Sequence, residues 1–288
     1  MKTIPDTELI LNADGSVFHL HLFPGELAGT VILVGDPGRV AQISAHFDAI
    51  EVRKQNREFV THTGICRGKR ITAISTGIGT DNVDIVMNEL DALVNIDFEA
   101  RHARTELQSL NIIRIGTCGA LQPEIHPGSG IISRYSVGLD NLLQFYKYEY
   151  HTDEQTLHEE LRHHLFLMNY ELPFYLFSGS VSLAKKFNEE MVEGITVTCP
   201  GFYGPQGRSL RLPARYGNLL SHLGRFRSGN FAITNFEMET SAIYGLSRLL
   251  GHHCITLDMV LANRATHEFS KNPKQQMEDF IEKVLEKL

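Results

Sequence analysis

The stretch NFEMETSA, residues 235–242, sets two carboxylates, Glu237 and Glu239, on either side of Met238 just ahead of a helix-like run, IYGLSRLLGHH. Carboxylates can accept hydrogen bonds from a diol or counter a cation, and two of them buried together repel. At a helix start they also have a purely structural use, because the N-terminal dipole end favours negative charge. Arginines supply the complementary chemistry. VGDPGR puts Gly35 and Arg39 directly after an apolar run, STGIG offers backbone N–H groups that a ligand can approach, and NIIRIGTCG carries Arg114 and Thr117. Arginine inside an apolar strand needs an anionic partner. A phosphate is one such partner, bound bidentately by arginine and completed by hydroxyl and backbone donors. The structural alternatives stay open at this point: GDPGR as a turn, Arg114 paired with an internal acid, the two glutamates as helix-start acids. Neither GxGxxG nor GxxxxGK[ST] occurs, which argues against NAD and nucleoside triphosphates.

These residues must be held at strand ends, and the chain supplies the strands. TVILVG (30–35), RITAIS (70–75), NIIRIG (111–116), FYLFSGS (174–180), GITVT (194–198) and CITLDMVLA (254–262) are rich in apolar and β-branched residues. On this reading Thr117 falls just beyond the end of its strand. Helical patterns cover 40–47, 81–94, 153–169, 238–251 and the C-terminal 273–288. Strands alternating with helices predict an α/β fold with a mixed central sheet flanked by helices, and residues 1–288 read as a single domain. The region 199–230 is long, weakly patterned and rich in Gly, Arg and Pro, as functional loops are.

Composition narrows the class. The chain has 288 residues, 42% of them hydrophobic, and a formal charge of −7. Nucleic-acid and membrane-surface binders carry a basic face, so neither partner is expected. The four cysteines, Cys66, Cys118, Cys199 and Cys254, form no CxxC or zinc spacing. Free thiols in a reducing cytosol are the expectation. The polar start does not read as a signal peptide, and no run of about 18 apolar residues predicts a membrane span.

SVFHL, VGDPGRV, NREF, STGIG, IRIGTCGALQP, FYGPQGR, NFEMETSA and ANR follow one another in the order seen in uridine phosphorylases, between about Phe18 and Arg264. The chain therefore resembles that family, the pyrimidine branch of the nucleoside phosphorylases. The resemblance implies a pentosyltransferase that reversibly converts uridine and phosphate to uracil and ribose 1-phosphate in pyrimidine salvage. It implies phosphate ligands at Gly35, Arg39, Arg114 and Thr117, with Arg57 donated by a neighbouring subunit. The ribose would meet Glu237, Met238 and Glu239, with His19 reaching its 5′-hydroxyl from the partner. The base would meet Cys118, Gly119, Phe202, Gln206, Arg208 and Arg264. Gln206 can match the N3–H and O2 edge of uracil, and Arg208 can donate to O4. Arg114, Glu239 and Arg208 would carry catalysis. A homo-oligomer, dimer or hexamer, is implied, with no cofactor and no metal; the potassium site of some bacterial members maps near Glu58, Ile78 and Asn82.

The chain departs from bacterial members at Cys118, where they have threonine, at Gly207, where an acid is common, and at Asn82, where they have serine. The alternatives are a purine nucleoside phosphorylase or a nucleoside-binding protein without catalysis. The purine enzymes need an acid near the end of the last core strand, where this chain has Asn263 and Arg264. Asp258 lies earlier in that strand and is expected to point elsewhere.

Overall fold

The structure, a computed structural model, describes residues 3–189 and 191–288. The fold is α/β, with a sheet that mixes parallel and antiparallel pairs. The chain forms two compact units, residues up to Ile113 with Leu246–His253, and Arg114–Gly245 with Cys254–Leu288.

In the first unit the strand Thr30–Val34 pairs in parallel with Lys69–Ser75, from Thr30 opposite Ile71 to Val34 opposite Ser75. Its four apolar residues are buried, so the strand is continuous in hydrophobicity rather than alternating. The helix Pro37–Ser44 begins three residues earlier than the sequence suggests. Asp36 caps it, accepting from the Gly38 N–H at 2.8 Å, and Pro37 takes the first position, where a missing N–H costs nothing. Lys69–Ser75 also pairs antiparallel with Phe59–Cys66, which forms a hairpin with Ala49–Asn56. The helix Thr80–Asn95 buries Val83, Val86, Met87, Leu90 and Leu93, one face at helical spacing.

In the second unit the order is Arg227–Ser228, Phe231–Glu237, Val192–Thr198, Gly130–Gly138, His253–Asn263, with Tyr175–Ser178 also beside Gly130–Gly138. Val192–Thr198 is parallel to both of its neighbours, whereas His253–Asn263 runs antiparallel to Gly130–Gly138. The helix Thr152–Leu167 buries Leu157, Leu161 and Leu165 into a core with Leu176, Ile195 and Val197. Buried Glu154 caps that helix at the His151 N–H (2.9 Å) and also accepts from the Ser178 N–H and hydroxyl, both at 2.8 Å.

Besides several two-residue strands, four longer ones lie outside the sequence expectation: Ala49–Asn56, Phe59–Cys66, Gly130–Gly138 and Phe231–Glu237. Ala49–Asn56 is half-exposed and charged, so it has no apolar face to detect, and Gly130–Gly138 is broken up by glycine, serine and arginine. The strand Asn111–Ala120 also runs four residues past the expected end. Gly119 and Ala120 pair antiparallel with Phe236 and Asn235, which places Thr117 inside the strand rather than beyond it.

Gly64 permits the tight hairpin register. A Cβ there would fall 2.1 Å from the Ala49 carbonyl oxygen, a backbone atom with no room to yield. Gly64→Ala is expected to destabilise the protein by about 1–3 kcal/mol, the range for overpacking. Urea unfolding would show this as a lower midpoint at unchanged slope.

Candidate active site

Arg114 sits in the strand Asn111–Ala120 at 3% exposure, surrounded by three buried carboxylates. Its Nη1 donates to Asp258 Oδ1 at 2.7 Å, and its Nη2 donates to Glu239 Oε2 at 2.5 Å and lies 3.2 Å from Glu237 Oε2. Burial works against the guanidinium charge, but Glu237, Asp258 and Glu239 more than offset it and hold Arg114 firmly protonated. Burial pushes the Asp258 carboxyl well up; Arg114 opposes the rise, and the nearby Glu237 and Glu239 add to it. Arg114 therefore does have internal acid partners. Asp258 is the one that sequence reasoning missed. The signal was available: an aspartate inside the apolar run CITLDMVLA needs a buried cation as much as Arg114 needs an anion.

The two glutamates of the opening motif have different surroundings. Glu237 ends the strand Phe231–Glu237. Its Oε1 accepts from Thr198 Oγ1 at 2.6 Å, and its Oε2 accepts from the Glu239 and Thr240 N–H groups at 2.8 and 2.9 Å. It is the cap of the helix Thr240–Leu250, which is the structural reading of an acid at a helix start. Glu239 instead grips Arg114 from beyond the strand end, and the half-buried Met238 stands between the two.

The residues expected on the base side lie in the same unit. Gln206 is buried in the short turn Gly204–Gln206, which ends at Gly207 in the left-handed region (φ 64°). Arg208 donates to Gln206 Oε1 and to the Phe202 carbonyl (2.7 Å), and its guanidinium lies 3.8 Å over the Phe202 ring. Arg264 donates to the Gln206 carbonyl at 3.2 Å. Phe236, absent from the sequence reading, lies under both arginines at 5.7 and 5.8 Å. Gly119 allows this, since a Cβ there would fall 2.7 Å from the Phe236 ring. Burial lowers the Arg208 pKa, and Arg264 adds to that. Arg208 also lines a mostly apolar cavity of about 750 Å³ with Leu139, Tyr203, Leu212 and Leu219, but Gln206, Phe236 and Arg264 are not among its walls. Cys118 is buried, and burial followed by Asp258 pushes its thiol far above the usual range. It is an uncharged wall, not a nucleophile.

In the first unit two parallel strand ends bring glycines together. A Cβ on Gly35 would lie 3.4 Å from the Gly77 carbonyl, and one on Gly77 (φ 72°) would collide with Asn82 Nδ2 at 2.4 Å. Arg39 is half-buried in the first turn of the capped helix. Arg57 stands exposed at the tip of a two-residue hairpin with φ 53°, the left-handed conformation that such tight turns require. His19 Nδ1 meets Glu89 at 2.6 Å, and Glu89 also takes the His19 and Leu20 N–H groups. Asn56 Nδ2, next to Arg57, donates to the His19 carbonyl at 2.8 Å, so those two residues share one face of the unit. Asn82 donates to Glu58 at 3.1 Å.

Residues 30–288 match the model of the phosphorylase superfamily. The chain belongs to that superfamily. It is 32% identical to a uridine phosphorylase of Thermococcus kodakarensis over 93% of this chain and 83% of that protein. It superposes with a TM-score of 0.86 on a Trypanosoma brucei nucleoside phosphorylase described as showing uridine phosphorylase activity, at 30% identity and covering 98% and 99% of the two chains. A purine nucleoside phosphorylase of Alkaliphilus metalliredigens is 27% identical over 88% of this chain and 93% of that protein. The fold is thus that of the nucleoside phosphorylases, and among the described residues no helix is long and apolar enough to cross a membrane.

Two outcomes are expected of this superfamily member. Glu237→Ala strips a buried acceptor from Thr198, two backbone N–H groups and Arg114. It should cost about 2–4 kcal/mol in urea unfolding, with Glu237→Gln intermediate because one oxygen remains. All four cysteines are buried, and burial raises the thiols of Cys66, Cys118 and Cys199. A colorimetric thiol reagent at pH 8 should leave these three unlabelled in the native protein and label them after denaturation.

Proposed function

We propose that this chain is a uridine phosphorylase, cleaving uridine with phosphate to uracil and ribose 1-phosphate in pyrimidine salvage. The observation that carries the reading is the Gln206–Arg208–Arg264 set, backed by Phe202 and Phe236. An amide and two fixed cations suit a 2,4-dione ring on which negative charge develops as the C1′–N1 bond breaks. The electron pair of that bond leaves with the base while a phosphate oxygen bonds to C1′. Arg208 and Arg264 stabilise the departing uracil anion, and Phe202 packs along the ring; Cys118 and Gly119 wall the pocket.

Glu239 accepts from the 2′- and 3′-hydroxyls with Met238 against the sugar, and Glu237 holds that segment in shape. Gly35, Arg39, Arg57, Arg114 and Thr117 take the phosphate role that the resemblance gives them, with no resident cofactor. Positioning and electrostatics then supply most of the catalysis.

The purine reading is weaker for a specific reason. Asn263 Nδ2 donates to the Gln122 and Ile125 carbonyls, and its Oδ1 accepts from the Ala265 and Thr266 N–H groups, so it is committed to the loop. Asp258 is committed to Arg114. Neither is placed to serve a purine N7. His19 and Arg57, tied together through Asn56, support a homo-oligomer in which both are donated to a partner's site. A reducing cytosol suits four buried cysteines that form no disulfide.

The test is phosphate-dependent cleavage followed by absorbance with uridine, cytidine and inosine in parallel. Uridine should exceed inosine by about 10⁴ in kcat/KM, since a site built to pair polar edges rejects analogues that leave them unpaired. Cytidine should fail, because its N3 carries no proton for Gln206 to accept. Equal constants for uridine and inosine would move the chain to the purine branch. Mixing Arg57→Ala subunits with Arg208→Ala subunits should restore activity that neither has alone; no restoration after subunit exchange would remove the shared site.

A further inference from the structure

Asp258 is anchored independently of Arg114. Its Oδ2 accepts from Asn235 Nδ2 at 3.2 Å, and Asn235 Oδ1 in turn accepts from the hydroxyls of Thr196 and Thr234, each at 2.9 Å. Thr196 is braced by Ser133 at 2.5 Å. A string of buried polar groups therefore delivers one carboxylate oxygen to Arg114 Nη1 at 2.7 Å. The backbone makes room for the contact: a Cβ on Gly116 would fall 1.8 Å from Nη1 and 2.1 Å from Asp258 Oδ1.

Charge balance does not require this arrangement. Glu237 and Glu239 already place two carboxylates on the single guanidinium, so a third buried acid adds desolvation cost without being needed for neutrality. What it adds is geometry. Both glutamates address Nη2, and an arginine held at one nitrogen can still pivot. Asp258 holds the other nitrogen.

We propose that Asp258 is a positioning residue that fixes the plane of the Arg114 guanidinium and so directs its uncommitted N–H groups at the phosphate. The proposal rests on the reading of Arg114 as a phosphate ligand. Loss of Asp258 lets the guanidinium swing toward the glutamates, which misdirects phosphate and leaves the base contacts untouched.

The experiment compares wild type, Asp258→Asn, Asp258→Ala, Arg114→Lys and the Arg114→Lys/Asp258→Asn double variant. For each, kcat and the KM values of uridine and phosphate are measured separately, with thermal midpoints to verify folding. Asp258→Asn keeps shape and one acceptor and should lower kcat/KM for phosphate about tenfold; Asp258→Ala should lower it about a hundredfold. The uridine KM should move far less. Lysine retains the charge but has no plane to fix, so Asp258→Asn should add no further loss to Arg114→Lys. Additive losses, equal effects on both KM values, or unchanged phosphate constants in folded Asp258→Asn would overturn the proposal. Phosphate binding by calorimetry is read on the same proteins. A wild type that binds phosphate but cleaves no nucleoside would overturn the proposed function, while unchanged phosphate affinity in Asp258→Asn would overturn the role of Asp258 alone.

Discussion

A single buried guanidinium organises the second unit. Arg114 is worth keeping in a dry interior only if anions meet it there, and Glu237, Glu239 and Asp258 do so from two separate chain segments. Those segments must therefore pass or end beside Arg114. The strand Phe231–Glu237 stops so that Glu237 can cap the next helix, the chain turns through Met238, and Glu239 reaches back. The strand His253–Asn263 carries Asp258 with no exposure at all. Stability rests on these charges: an uncompensated member of this set would cost several kcal/mol as a buried ion.

The loop around Gln206, proposed to hold the base, is built differently. Arginines that stabilise a leaving anion must be held without being neutralised, because a carboxylate partner would cancel the field they offer. Arg208 and Arg264 are accordingly held by carbonyl oxygens, an amide and aromatic faces, and no acid touches them among the contacts described. Arg114 and Arg208 are the same residue type in opposite settings, one meeting three carboxylates through its two Nη atoms and the other stacked on a ring. Their proposed tasks differ in the same way.

In the first unit, the residues proposed for the site stand out by backbone conformation. Gly35 and Gly77 face each other where no side chain fits, and Arg57 takes a left-handed turn that a glycine would adopt at less cost. Glu89 and Asn56 hold His19 and its neighbour in a defined pose at an accessible face.

The α/β alternation, the long helices and the residue types of the site were legible in the sequence, because hydrophobic period and turn chemistry are local properties. So was membership of the phosphorylases, carried by short motifs in a fixed order. The limits of Asn111–Ala120 were not, since its last residues become strand only by pairing with Asn235 and Phe236 more than a hundred positions away. Ala49–Asn56 was hidden because an edge strand with charged, half-exposed residues shows no apolar face. The motif NFEMETSA announced two acids but not their division of labour. Glu237 caps the helix through N–H groups only two and three positions on, but it is fixed there by Thr198, 39 positions away, and Glu239 became a partner of Arg114 across 125 positions. Asp258, 144 residues from Arg114, makes the same point most sharply. Sequence determines which charges the chain carries, and local pattern tells which of them will be buried. Which buried charge meets which is decided only when tertiary packing closes the distance, because Coulombic and hydrogen-bond energies act over ångströms in space and are blind to separation along the chain.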